Sequence, residues 1–137
     1  MSNVARFEDL RVWQRSRALN KEIYEISSRG KFARDYALRD QIRRASISIS
    51  SNIAEGHERG GNKEYLNFLF IAKASAGEVR SQLWLAMDLG YVDKSAFERL
   101  NAMVVEISQM IYRLIMYLRG SDFSGSKYKD PRTGSDG

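Results

Sequence analysis

The sequence predicts an all-α protein, an antiparallel up-down-up-down four-helix bundle. Four segments of the 137-residue chain repeat apolar residues every three or four positions, which is the spacing of one helix face. Short connections separate these segments, and the only proline, Pro131, follows all four. Because helices of similar length joined by short loops pack antiparallel to their neighbours, we expect one bundle over residues 1–119.

The first predicted helix covers residues 8–28 and ends before Gly30, a residue type that commonly follows helix ends. Its expected core positions are Val12, Ser16, Leu19, Ile23 and Ile26. The second covers residues 35–58, with Asp35 as its N-cap. Its expected core positions are Leu38, Ile42, Ala45, Ile49, Ile53 and Gly56. This long helical pattern outweighs the short strand-like alternation at 46–51.

The third predicted helix covers residues 63–89, after a cap at Asn62. Its expected core positions form a heptad pattern: Tyr65, Leu69, Ala72, Ala76, Val79, Leu83 and Ala86. The fourth covers residues 93–119, between a cap at Asp93 and a terminating Gly120. Its expected core positions are Phe97, Leu100, Val104, Ile107, Ile111, Leu114 and Leu118.

Residues 120–137 differ from the rest of the chain in composition. They include four Gly and four Ser and no aliphatic side chain, so they cannot bury enough apolar surface to order themselves. We expect a disordered tail. The alternative is a peptide that docks on the bundle through Phe123 and Tyr128.

The composition also excludes several classes of catalytic site. The chain has no Cys and one His, which removes thiolate nucleophiles, zinc–cysteine sites and sites with several His ligands. No Glu-x-x-His pair of a di-metal bundle is present, and Gly60-Gly61 lacks the Lys-Ser/Thr of a P-loop. The single His57 is expected to be solvated near a helix end. We therefore expect a protein that is not an enzyme, with no catalytic residue, metal site or cofactor.

The hydropathy of the chain bears on its location. Residues 1–9 are polar, and no apolar run reaches the length of about 18 residues that a membrane span requires. We expect neither a signal peptide nor a membrane partner, and a cytoplasmic location.

The formal net charge is +5, and all of it lies in the first half of the chain. Residues 1–63 hold 13 Lys and Arg against 8 Asp and Glu, whereas residues 64–137 are balanced. Such an asymmetry favours an acidic partner, RNA or DNA above all. The candidate phosphate contacts are two i,i+4 pairs on outward helix faces: Arg11, Arg15, Arg39 and Arg43.

A second interpretation gives this charge no role in binding. A charge of +5 also keeps a small protein in solution, and acids such as Glu22 and Asp40 are interspersed among the arginines. The sequence shows no combined aromatic and arginine surface of the kind that stacks bases. The alternative function is a scaffold that recruits a protein partner through its apolar surface and has no nucleic-acid role.

One polar row follows the edge of the apolar stripe in the second predicted helix. It consists of Gln41, Arg44, Ser48, Asn52 and Glu55. Polar side chains at such an edge commonly hydrogen-bond the adjacent helix. A contact with a ligand or another subunit is the second possibility, since Gly56 permits a close approach at this point.

The third predicted helix has more apolar surface than one bundle requires. A helix that is apolar nearly all round is usually buried on more than one face. We therefore predict a homo-oligomer. The alternative explanation is that the core of a single bundle is wide and some aromatic residues are half exposed. The candidate interface residues are Trp13, Phe70, Trp84, Leu85, Met103, Met110 and Tyr117.

Two patterns resemble a known family. The first is Phe7-x-x-Leu10-x-Val12-Trp13, and the second is the block QIRRASISISSNIAEG at 41–56. Both resemble the four-helix bundle proteins encoded within intervening sequences of bacterial 23S rRNA genes. The resemblance implies a bacterial bundle that assembles as a ring-like homopentamer and has no established enzymatic activity. Relatives include the accessory protein of diversity-generating retroelements, which is associated with a reverse transcriptase and nucleic acid.

Overall fold

The structure, a computed structural model, describes residues 5–125, and it confirms the all-α bundle. The described chain contains a 3-10 helix and five α-helices, and no strand. These are the 3-10 helix Phe7–Asp9, α1 (Arg11–Ile26), α2 (Gly30–Arg34), α3 (Tyr36–Arg59), α4 (Asn62–Asp88) and α5 (Lys94–Gly125). Around the bundle, α1 packs against α3 and α5, and α4 packs against the same two helices on the opposite side.

The core lies where the predicted stripes meet. All expected core positions of the second and fourth predicted helices are buried. In the other two, Ile26 and Tyr65 are half-buried and the remaining positions are buried. The segment 46–51 lies inside α3, which confirms that its short alternation does not form a strand.

The first predicted helix is shorter than expected. It begins at Arg11, because Phe7–Asp9 forms the separate 3-10 helix, and it ends at Ile26. The expected loop that follows contains the short helix α2, which starts at Gly30 with a φ of 53°. Phe32 explains this helix: its side chain is fully buried and stacks on the Tyr91 ring at a centroid distance of 5.3 Å.

Two of the predicted N-caps form as expected. Asp35 Oδ1 accepts a 3.1 Å hydrogen bond from the Leu38 N–H, and Asp93 Oδ1 accepts one of 2.8 Å from Ala96. The predicted cap at Asn62 is wrong: α3 ends at Arg59, Gly60 follows it with a φ of 87°, and the extended Gly61 occupies the cap position of α4. Asn62 therefore already belongs to α4.

The last helix extends beyond the predicted boundary at residue 119. Gly120 does not end it, because this glycine keeps a helical backbone and α5 continues to Gly125. A glycine inside a helix costs only about 0.5–1 kcal/mol relative to Ala, so the helix can continue through it. The remainder of the predicted tail, residues 126–137, lies outside the described residues.

Helices α3 and α4 approach each other closely at Gly56. A Cβ atom added at Gly56 would lie 2.8 Å from Phe68 Cβ and 2.9 Å from Tyr65 Cδ1. A side chain at this position would therefore force its neighbours on α4 to shift. Among the described helices, none is both long and apolar enough to cross a membrane.

Candidate nucleic-acid interface

Two of the four candidate arginines form ion pairs with carboxylates of the same chain. Arg15 Nη2 lies 2.6 Å from Glu106 Oε1 and so joins α1 to α5. Arg39 Nε lies 3.0 Å from Asp40 Oδ1, and its Nη1 donates a 3.1 Å hydrogen bond to the Ala33 carbonyl at the end of α2. These pairs reduce the positive charge that the two arginines present to a partner.

Arg43 is held by neutral groups. Its Nε donates a 2.8 Å hydrogen bond to Ser27 Oγ, and its Nη2 donates one of 3.0 Å to Ser28 Oγ. Its guanidinium carbon lies 4.4 Å from the centroid of the Tyr24 ring. None of these partners is anionic, so they orient the guanidinium without neutralising it.

The four arginines do not form one patch. Arg11 is exposed in the first turn of α1, whereas Arg43 contacts residues that directly follow the last turn of the same helix. A helix of 16 residues is about 24 Å long, which separates these two positions along the bundle. The structure brings Arg39 and Arg43 together near α2 and leaves Arg11 and Arg15 towards the other end.

A combined aromatic and basic surface surrounds α2, contrary to the sequence-based expectation. Arg39 lies over the Tyr36 ring, with its guanidinium carbon 4.8 Å from the centroid, and Arg43 lies over Tyr24. Both rings are accessible, with Tyr36 64% and Tyr24 40% exposed. We define the α2-end surface as these four residues together with three exposed cations. The full set is Tyr24, Arg29, Lys31, Arg34, Tyr36, Arg39 and Arg43.

One signal of this surface is present in the sequence. Tyr36, Arg39 and Arg43 occur at positions i, i+3 and i+7, which share one face of a helix. The contribution of Tyr24 has no such signal, because it comes from α1 and meets Arg43 only in the folded bundle.

Asp35 fixes the junction between α2 and α3. Its carboxylate accepts hydrogen bonds from the Leu38 N–H and from the Tyr91 hydroxyl, the latter at 2.8 Å. Both bonds favour the ionised form and hold the pKa of Asp35 below its usual value. The bond to Asp35 also raises the pKa of Tyr91.

The polar row of the second predicted helix divides into different environments. Ser48 Oγ and Ser75 Oγ lie 2.8 Å apart and link α3 to α4, and Asn52 Nδ2 donates to the Ser48 carbonyl and hydroxyl oxygens. Glu55 accepts a 2.8 Å bond from Arg59. The other two members of the row, Gln41 and Arg44, are exposed.

The candidate interface residues also divide by exposure. Trp84 is 51% exposed although its ring contacts Phe97 at a centroid distance of 4.5 Å, and its neighbour Leu85 is 46% exposed. Phe70 and Tyr117 are exposed as well, whereas three candidates are partly buried against the core of the same chain. These three are Trp13, Met103 and Met110.

His57 is not solvated as the sequence suggested. Its side chain is only 14% exposed, and the imidazole ring meets the Tyr65 ring edge-on at 5.8 Å. Burial raises the pKa of Tyr65 to about 12. Among residues 5–125, no group of three Asp, Glu or His side chains is placed to hold a metal ion.

These features define an all-α antiparallel bundle with hydrogen-bonded polar contacts between its helices, a basic surface at one end and an apolar outer face on α4. The chain belongs to the family of 23S rRNA-intervening sequence proteins, whose family model matches residues 8–113.

The fold is also found in a solved structure. That structure is a protein of unknown function from the S23 ribosomal protein family of Bacteroides thetaiotaomicron, with a TM-score of 0.70 and 24% sequence identity. The similarity covers 76% of this chain and 97% of that chain. Among curated proteins, no match is found.

Proposed function

We propose that this protein is a non-enzymatic, homo-oligomeric bundle that associates with the phosphate backbone of RNA or DNA in the cytoplasm. The charge around α2 carries this proposal. Residues 29–44 hold six Lys and Arg against two Asp, and one of these cations, Arg43, is oriented by neutral partners. Phosphate contacts require such accessible cations and do not require base recognition.

The remaining charges in this region support the same function. Arg29, Lys31 and Arg34 are exposed on and before α2. Asp35 already accepts hydrogen bonds from Leu38 and Tyr91, so its carboxylate is committed to the helix junction. Assembly into a ring of five, the number that the family resemblance implies, would repeat this surface and strengthen its electrostatic field.

A salt-dependent titration tests the proposal. The full-length chain is titrated into fluorescently labelled RNA and duplex DNA at about 50 and 200 mM salt, and binding is followed by anisotropy. We expect the affinity to fall steeply with salt, because phosphate binding releases counterions. Absence of binding at about 50 mM, or binding that salt does not weaken, contradicts the proposal.

A matched pair of charge reversals locates the contact. Lys31→Glu changes an exposed cation of the α2-end surface, and Lys63→Glu makes the same change in an exposed residue at the opposite end of the bundle. We expect Lys31→Glu to weaken binding and to reduce the salt slope by about 1 for each phosphate that the variant no longer binds. Equal effects of the two variants would show that net charge alone governs binding.

The assembly that we propose uses the outer face of α4. Trp84 and Leu85 are about half exposed there, and large apolar side chains are enriched at the centres of subunit interfaces. We expect Trp84→Glu to reduce the mass measured by light scattering. Ile47→Glu is the control, because it adds the same charge to an exposed apolar residue of α3.

The same face favours a second candidate function, a scaffold that recruits a different protein. The mass of the wild-type protein separates the two candidates. A mass near 15.7 kDa, that of one chain, would overturn self-assembly and leave the α4 face for another partner. A multiple of that mass supports the homo-oligomer.

A further inference from the structure

The two tyrosine rings of the α2-end surface are exposed and contribute little to the core of the bundle. The Tyr36 ring is 64% exposed, and a cation–π contact such as the one it makes with Arg39 stabilises an exposed site only weakly. Tyr24, in the last turn of α1, is 40% exposed although Arg43 of α3 lies over its ring. Large aromatic rings that contribute little to the core are available for a ligand.

The pairs lie on one continuous face. Tyr36, Arg39 and Arg43 follow each other along the side of α3 that faces α1, and Tyr24 of α1 meets this row at Arg43. Hydrogen bonds from Arg43 to Ser27 and Ser28 fix the guanidinium beside the Tyr24 ring. Asp40 is the acidic side chain on this row, and it is paired with Arg39.

We propose that this face binds single-stranded nucleic acid by stacking unpaired bases on Tyr24 and Tyr36, while the neighbouring cations contact the phosphates. The inference deepens the proposed function and rests on it, since phosphate binding alone does not distinguish a single strand from a duplex. Aromatic rings with adjacent arginines bind single strands because every base has a π face. In a duplex those faces are already stacked, so this face selects unpaired strands.

Substitution of the tyrosines tests the inference. The probes are a labelled single-stranded RNA, a single-stranded DNA of the same sequence, and the corresponding duplexes, all titrated with the full-length protein. We expect single strands to bind more tightly than duplexes. Tyr36→Leu and Tyr24→Leu should each weaken single-strand binding by about 5- to 150-fold, the range measured when a stacking residue is removed.

Two controls separate stacking from general damage. Tyr36→Phe keeps the aromatic ring and should retain the wild-type affinity. Tyr112→Leu removes an exposed tyrosine on α5, away from the α2-end surface, and should have no effect. Because all three tyrosines are exposed, circular dichroism and thermal unfolding should show that these variants fold.

The outcomes distinguish this inference from the proposed function. If no nucleic acid binds at about 50 mM salt, both fall. If binding remains salt-dependent and sensitive to Lys31→Glu, but Tyr24→Leu and Tyr36→Leu leave it unchanged, the stacking inference is overturned and the proposed function stands. Duplexes that bind as tightly as single strands also overturn the inference.

Discussion

The contact between α3 and α4 at Gly56 predicts a large effect of a single methyl group. In Gly56→Ala, the new Cβ would lie 2.8 Å from Phe68 Cβ and 2.9 Å from Tyr65 Cδ1. The Tyr65 ring can rotate, whereas Phe68 Cβ is bonded to the α4 backbone, so the helices must move apart. Overpacking of this kind costs about 1–3 kcal/mol, and the better helix propensity of Ala returns about 1 kcal/mol. We expect the free energy of unfolding to fall by up to about 2 kcal/mol.

Gly77→Ala is the matched control. Gly77 is also inside a helix, but a Cβ there meets nothing within 4 Å, so only the propensity gain of about 1 kcal/mol applies. Urea unfolding, followed by circular dichroism at one protein concentration, should give a midpoint for Gly56→Ala up to roughly 1 M below that of the wild type. The control midpoint should rise. If the midpoint of Gly56→Ala rises as much as that of the control, the argument from helix proximity is refuted.

Two further predictions concern the core. Burial raises the pKa of Tyr65 from 10 to about 12, so stability present below pH 10 should decline as the pH rises towards 12. Tyr65→Phe should lose less stability over this pH range. Melting temperatures that fall in parallel for both proteins between about pH 9 and 11 would contradict the prediction. Ile107 is fully buried in α5, and Ile107→Asp should cost several kcal/mol of a total near 5–15. Its urea midpoint should fall sharply, and an unchanged midpoint would show that position 107 is not in the core.

The long helices are predictable because their apolar spacing persists over many turns. In α3 and α5, each additional turn places another expected core residue on the same face, and all of these positions are buried. The short helix α2 has only five residues, too few for a periodic pattern. It depends on the burial of Phe32 against the bundle, a tertiary contact that local sequence does not reveal.

The candidate site is predictable in part for a similar reason. Charge asymmetry identifies the first half of the chain as basic, but the partners of each arginine come from distant segments. Arg15 pairs with Glu106, 91 positions away, and Arg43 meets Tyr24 on a different helix. Contacts within one helix, such as Ser48 with Asn52, can be predicted from i,i+4 spacing. The contact between Ser48 and Ser75 forms only when α4 packs on α3.

Trp84 and the tyrosine–arginine face lie on different sides of the bundle, and this arrangement would link assembly to binding. The tyrosine–arginine face lies along α1 and α3, whereas Trp84 of α4 packs on Phe97 of α5, so an assembly formed through Trp84 would leave Tyr24 and Tyr36 accessible. A strand long enough to reach several subunits would bind more tightly, because its first contact raises its effective concentration at the other sites. A strand of about 8 nucleotides would occupy one site. Trp84→Glu should therefore weaken the binding of long strands and leave that of short strands unchanged. Equal losses for both lengths would show that Trp84 contributes to the binding face itself.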